Sequence, residues 1–313
     1  MRVFMAGGTG AVGRPMIRQL RAAGHTVAAM TRSEGKASLL AELGAEPVVV
    51  DVFDRDALVA AVRAARPDAI VNQLTDLPQA MEPKHLQDIY ARNNRVRRDG
   101  TANLLDAGDA AGVRLFIAQS MGTWYQPTGD AVKSEAAPLW TNAPEPIGEA
   151  VRTVGHMENE VLARMPRGVI LRYGAFYGPG TWYAADGEIA KRIQSRGFPI
   201  IGRGEGITSF IHVDDAASAA VAALATPSSA VFNVADDEPA PAGEWIPAYA
   251  AALNAPKPWK VPVFAARLAL GAAMTEWLTT MRGASNAAIK SALGWRPAYP
   301  TWRSGFQRLA TRQ

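Results

Sequence analysis

The sequence predicts an α/β fold, a doubly wound parallel sheet with a small, mostly helical C-terminal lobe. Three observations lead there. Short apolar runs alternate with amphipathic helical stretches through the first half of the 313-residue chain. The runs are apolar throughout, as strands covered on both faces are. A glycine-rich turn, Gly7 to Gly13, separates the first run from the first helix. The elements follow in order. "VFMAG" is a strand, and the helix after it, about Ala11 to Ala23, lines up Val12, Met16, Ile17 and Leu20 and stops at Gly24. "TVAAM" is the second strand, with Ser33 capping a helix through Leu43. "PVVVD" is the third, with Asp54 capping "RDALVAAVRAAR". "DAIVN" is the fourth, followed by one long helix over about Leu86 to Ala111. "RLFIAQS" is the fifth. After a Pro-rich loop, a helix over about Glu149 to Ala163 leads to "GVILRY", the sixth, and "AVFNVAD" returns to the sheet. Residues 1–172 and 206–235 are expected to form the sheet domain. Residues 173–205 and 236–313, where Gly- and Pro-rich loops break the rhythm, are expected to form the lobe.

Composition narrows the function. Hydrophobic residues are 48% of the chain and charged residues 20%, the balance of an ordinary globular protein. The N-terminal run lacks the form of a signal peptide, and "VPVFAARLALGAAMTEWL" is interrupted by Arg267 and Glu276, so a cytoplasmic protein with no membrane span is expected. The absence of cysteine excludes disulfides, a thiol nucleophile and thiolate metal sites. The four histidines are far apart, so no metal site is expected. The net charge of +4 comes from scattered arginines, and their one concentration, "ARNNRVRRDG", has no stacking aromatics beside it, which argues against nucleic acid as a partner.

"VFMAGGTGAVG" places Gly7, Gly10 and Gly13 between strand and helix. Such a turn brings the backbone close to a pyrophosphate, which the amides of the helix N-terminus then hold. A dinucleotide is the expected ligand.

The spacing G-x-x-G-x-x-G resembles that of the short-chain dehydrogenase/reductase superfamily, and later landmarks resemble its extended, NAD-dependent epimerase/dehydratase-like branch. These are "DVFD", "GTANLLDAGDAAGVRLFIAQS", "LRYGAFYGPGT", "FIHVDDAA" and "LGWRP", in family order from Gly7 to Pro297. The resemblance implies a Rossmann domain. It implies a cofactor held by Gly7, Thr9, Gly10, Ala11, Val12, Gly13, Thr31, Arg32, Asp51, Val52, Gln73, Leu74, Thr75, Gln119, Tyr173, Gly174 and Phe176. It also implies a homodimer through the helices over about 86–111 and 149–163. The second strand ends in Thr31, Arg32 and Ser33 rather than in an acid, and Arg14 follows the glycine loop. A basic residue there suits a 2′-phosphate, so NADP(H) is expected over NAD(H).

In that family a Tyr-x-x-x-Lys pair moves the proton, with a serine or threonine after the fifth strand beside it. None of the seven tyrosines here is followed by lysine four residues on. The matching helix offers Ala150/Val154, Val151/Gly155 or Arg152/His156 in place of the pair. Arg97 stands where the family carries an asparagine. Ser120, Thr123 and Tyr125 are the catalytic candidates, with Lys133 in the same loop and Tyr173, Tyr177 and His156 as further groups. "AQSMG" is near the nucleophile elbow of a serine hydrolase, but a loop follows it where that elbow needs a helix. Tryptophans 124, 140, 182, 245 and 259 are candidates to line a substrate pocket, and Arg203 and Arg282 to clamp an anionic one. The expected function is NADP-dependent oxidoreduction of a small organic molecule by a non-standard acid, or a reaction needing no strong acid. An epimerase or dehydratase acting on a (nucleotide-)sugar and a non-catalytic dinucleotide-binding regulator are the alternatives.

Overall fold

The computed structural model describes residues 1–78, 80 and 85–310, the side chains of residues 309 and 310 excepted. Seven parallel strands make the central sheet: β1 (Arg2–Ala6), β2 (Thr26–Thr31), β3 (Glu46–Val49), β4 (Ala69–Asn72), β5 (Leu115–Met121), β6 (Arg167–Tyr173) and β7 (Ala230–Val234). They lie in the order β7-β6-β5-β4-β1-β2-β3. The winding reverses between β1 and β4, whose partners include Val3 with Ala69 and Ala6 with Asn72. Their carboxyl ends diverge there into the crevice where such sheets take ligands.

Alternation along β1 shows why the strands are apolar throughout. Val3 and Met5 face α1 (Gly13–Ala22) and α8 (Val213–Ala223), joining Met16, Ile17, Leu20, Ala216 and Ala220. Phe4 and Ala6 face the other layer, α3 (Arg55–Ala65), α5 (Thr101–Ala110) and α6 (Ile147–Arg164), with Leu58, Val62, Leu104 and Val161. Burying each large side chain contributes roughly 1.5–3 kcal/mol.

Several local expectations are corrected. The expected single helix over 86–111 is α4 (Leu86–Arg95), a five-residue π turn (Val96–Gly100) and α5. Helical periodicity reads alike through all three, so the extra residue per turn leaves no sequence signal. Ser33 makes no side-chain cap; a 3-10 turn (Glu34–Lys36) precedes α2 (Ala37–Glu42). Asp54 does cap α3, accepting a 3.1 Å bond from the Ala57 amide.

The lobe gathers α7 (Glu188–Gln194), α9 (Ala242–Ala252), α10 (Val263–Leu270), α11 (Ala272–Thr280) and α13 (Trp302–Ala310). Phe210, Trp245 and Phe306 form its aromatic centre. Two parts of the expected lobe segment instead serve the sheet domain. Ile289 of α12 (Ala287–Leu293) and Trp295 pack against the α1/α8 layer, and the Trp295 indole donates to Ser218 Oγ at 2.9 Å.

Candidate active site

The glycine loop leaves β1 and enters α1. Gly7 has φ +91°, and a Cβ there would stand 2.7 Å from the Gln73 carbonyl carbon. A Cβ on Gly13 would meet the Gly7 oxygen at 2.2 Å. These two glycines are required by the chain itself. Gly10 differs: its Cβ would meet nothing nearer than the Gly7 oxygen at 3.4 Å, and it faces solvent. Ala11 and Val12 follow it into the helix entrance, where the Arg14 amide donates to the Gly10 carbonyl and the Met16 amide to the Val12 carbonyl, each at 3.1 Å. The side-chain position of Gly10 is therefore open to solvent, the kind of space in which a glycine loop of this type lets a pyrophosphate approach the backbone.

Most of the other expected cofactor residues lie at or just past the carboxyl ends of β2 to β6. Arg14 Nε holds the Thr9 carbonyl at 2.9 Å, and Gly180 lies against Ala11, so the Y-G-P-G turn closes on the helix entrance. Thr31 is buried at the end of β2, and Arg32 beyond it is exposed. Asp51 Oδ1 accepts the Phe53 amide at 3.0 Å, and Val52 is buried beneath. Past β4, Asn72 Oδ1 accepts the Leu74 amide and Asn72 Nδ2 donates to Thr101 Oγ1, fixing the turn that leads to Thr75. The Gln73 amide is buried beside the Tyr173 hydroxyl, which donates to the Ala216 carbonyl at 3.3 Å. Gly174 packs on the Ser209 carbonyl, and Phe176 meets the Tyr173 ring at 5.2 Å. Gln119, half-buried, ends the row on β5.

One residue beyond Gln119 begins a buried polar chain. Ser120 Oγ donates to Glu158 Oε1 of α6 at 2.5 Å. Arg172 of β6 donates to both oxygens of Glu158, at 2.9 and 2.6 Å. It also donates through Nη1 to Tyr125 Oη at 3.1 Å. The Tyr125 hydroxyl gives its own proton to Asn233 Oδ1 on β7, at 2.5 Å. Burial disfavours the Arg172 charge, but the hydrogen bonds and charge of Glu158 outweigh it and hold its pKa above the ordinary value. Burial pushes the Tyr125 phenol up. Tyr125 is thus tied by its phenol to Arg172 and Asn233. Lys133 donates to the Thr128 carbonyl in the adjoining loop.

The helical repeat decides which face of α6 looks inward. Ala150 and Val154 are completely buried, in line with Glu158 at i, i+4 and i+8. They pack with Trp124, Trp140 and Tyr90. His156 and Arg152 are on the exposed side, so His156 does not face β5 as a substitute cation. Tyr177 is buried in the lobe against Gly305 and Phe306. Thr123 is buried beside Trp124, and its carbonyl accepts from the Trp277 indole of α11 at 3.3 Å.

The tryptophans divide. Trp124 and Trp140 flank α6; Trp182 donates to the Pro78 carbonyl at 3.0 Å; Trp245 belongs to the lobe core; Trp259 is exposed, its indole donating to the Arg196 carbonyl. Arg282 Nε donates to the Pro127 carbonyl, and Arg203 is exposed beside Glu205. Among the described residues no three His, Asp or Glu side chains gather as a metal site needs, and no helix is long and apolar enough to cross a membrane. Sequence reasoning missed Glu158 and Arg172. The spacing of Glu158 four and eight residues after the apolar Val154 and Ala150 and a lone arginine inside the apolar run "GVILRY" were the available signals.

A parallel sheet that reverses its winding at a glycine loop of this shape is the architecture of a dinucleotide-binding α/β enzyme. The chain belongs to the NAD dependent epimerase/dehydratase family, which it matches over residues 3–235. It is 44% identical over 309 residues to the 3-diazoavenalumate denitrifying reductase of a Streptomyces species, covering 98% of this chain and 100% of that one. Its fold is similar to that of Thermus thermophilus UDP-glucose 4-epimerase in complex with NAD, with TM-score 0.76 and 22% identity over 99% and 98% of the two chains. It is equally similar to human epimerase family protein SDR39U1 with NADPH, with TM-score 0.76 and 20% identity over the whole of both chains. The protein is an NAD(P)-dependent oxidoreductase or epimerase.

Proposed function

We propose that this protein is an NADPH-dependent reductase that replaces the diazo group of a small carboxylate by hydrogen, releasing dinitrogen. The observation that carries the reading is the inward face of α6. Ala150 and Val154, neither able to give a proton, occupy the fully buried positions in line with Glu158. Carbonyl reduction leaves an alkoxide that must be protonated, so a site without a positioned acid is poorly suited to it. Loss of dinitrogen has no such need. When bound, the nicotinamide supplies the hydride, which forms the C–H bond with its own electron pair while the C–N pair departs on dinitrogen, and no proton is exchanged. The full-length relative named as a denitrifying reductase supports the same chemistry.

The chain's residues have supporting parts. Gly10, Ala11 and Val12 hold the pyrophosphate, and Arg32 takes the 2′-phosphate that makes NADP(H) the cofactor. Ser120 and Thr123 border the reacting carbon at the end of β5. Tyr125 holds β5, β6 and β7 in register through Arg172 and Asn233. Trp124 and Trp140 lie along the carbon skeleton and keep water out. A cytoplasmic homodimer through α4–α6 completes the reading, and sedimentation at two concentrations tests the dimer.

The experiment is a reaction of the protein with diazotised 3-aminocinnamate and NADPH carrying deuterium at both C4 positions. The expected result is one dinitrogen released per NADPH oxidised, with deuterium at the carbon that carried nitrogen and a rate well above the protein-free control. Dinitrogen release no faster than in buffer would overturn the reading. So would a product without deuterium.

A further inference from the structure

We infer that Arg97 is the anchor for an anionic oxygen of the substrate, a carboxylate or a phenolate. The inference rests on the reductase reading only for the kind of molecule that carries the oxygen. The site itself stands on how the guanidinium is buried.

Arg97 sits in the π turn between α4 and α5 and is 3% exposed. Its Nε and Nη1 find no hydrogen-bond acceptor among the described residues. The Trp124 ring centre lies 5.6 Å from its guanidinium carbon. Glu158 attracts it, but that carboxylate's hydrogen bonds go to Ser120 and Arg172. An unpaired buried guanidinium is costly, and proteins neutralise such a charge or supply it with acceptors. Here burial lowers its pKa to about 10, with Glu158 and Tyr90 opposing the shift, which leaves it a cation at neutral pH.

Its neighbours have the same unmet demand among the described residues. Asn94, three residues earlier and 2% exposed, has neither amide oxygen nor amide nitrogen paired. Thr123 Oγ1 and Trp124 Nε1, on the segment that Arg97 overlies, are also buried without partners. Two guanidinium nitrogens, an amide nitrogen, an indole and a hydroxyl can donate; the hydroxyl and the Asn94 oxygen can accept. So donor-rich a set suits an oxyanion better than a neutral group, with the Arg97 guanidinium making the charge-assisted bonds. Arg97, Asn94, Thr123 and Trp124 thus bring unpaired polar atoms together from two segments, with a buried cation among them.

The surroundings give the rest of the ligand its character. Trp124, Trp140, Met121 and Trp277 join one apolar cluster with the inward face of α6, suited to a flat conjugated skeleton. An oxyanion held at Arg97 would also offset the positive charge of a diazonium on the same molecule, lessening the cost of burying it.

The test measures binding by calorimetry in saturating NADPH, with probes that carry no diazo group. Cinnamate against cinnamamide reads the carboxylate; 4-nitrophenolate against 4-nitroanisole reads the phenolate. The expected result is a preference of at least about tenfold for one of the two anions over its neutral counterpart. Arg97→Met should erase that preference while retaining NADPH binding as the check on folding, and Arg97→Lys should restore part of it. Equal binding of acid and neutral partner in both pairs, or no binding of either anion, would overturn the inference without any variant being needed. A preference that survives in Arg97→Met would overturn it as well. Because no probe can lose dinitrogen, these outcomes are independent of whether diazo reduction itself succeeds.

Discussion

Ser120 donates its hydroxyl proton to Glu158 at 2.5 Å, and the same carboxylate takes two hydrogen bonds from Arg172. The serine at the end of β5 is thereby oriented by a buried ion pair bridging α6 and β6, whose side chains are 4% and 9% exposed. Removing one partner leaves the other charge buried, at a cost of about 3–5 kcal/mol. Glu158→Gln should therefore lower the denaturant midpoint severely at unchanged slope, whereas Ser120→Ala should cost only about 1 kcal/mol. Similar losses in the two variants would mean that the pair does not act as described.

The glycine loop gives a contrast within a single turn. Gly13→Ala places a methyl 2.2 Å from the Gly7 oxygen and should destabilise the fold, read as a drop in Tm without any ligand. Gly10→Ala meets only one atom of the chain, at 3.4 Å, and should leave Tm within about two degrees. Its NADPH affinity should fall by about tenfold or more, because the methyl would stand in the proposed pyrophosphate position. An unchanged Kd for Gly10→Ala would refute the placement of the phosphates.

Arg32→Asp should weaken NADPH binding by on the order of tenfold or more and spare NADH, since one phosphate contact is lost and a repulsion added. Parallel titrations with the two cofactors read this directly, and an equal loss for both would contradict the 2′-phosphate assignment.

Asp236, 1% exposed, is pushed up by burial to about 8, against 3.8 in the open chain. Its Oδ1 accepts the Glu238 amide at 3.1 Å, and this bond and the Trp302 backbone oppose the shift without overcoming burial. Between those two pH values the folded chain holds a proton that the unfolded chain has released. Stability should therefore fall as pH rises through this window, by up to about 1.4 kcal/mol per pH unit, and level off above it. Asp236→Asn should flatten that slope relative to the unmodified protein and be the more stable of the two at pH 8. Parallel pH profiles for the two proteins would count against a buried, protonated Asp236.

The apolar runs at Val3–Ala6 and Ala69–Asn72, the Gly7–Gly13 turn and the Asp54 cap were legible because each depends on neighbours in the chain. Val12, Met16 and Leu20 likewise share a face through the helical repeat alone. The boundary of the lobe was less so. Trp295 looks like another lobe aromatic until its indole is seen to reach Ser218, 77 residues away.

The layered sheet, the glycine turn and the want of any tyrosine with lysine four residues on could be read along the chain, because periodicity, glycine placement and residue identity are local properties. Tertiary packing turned Ala150 and Val154 inward and His156 out. It alone joined Ser120, Glu158, Arg172, Tyr125 and Asn233 into one buried chain, and it alone left Arg97 and Asn94 with polar atoms unpaired among the described residues. Those residues come from α4, the π turn, β5 and the loop after it, α6, β6 and β7. Whether a charge among them is satisfied depends on distances across the sheet, which no spacing along the chain encodes.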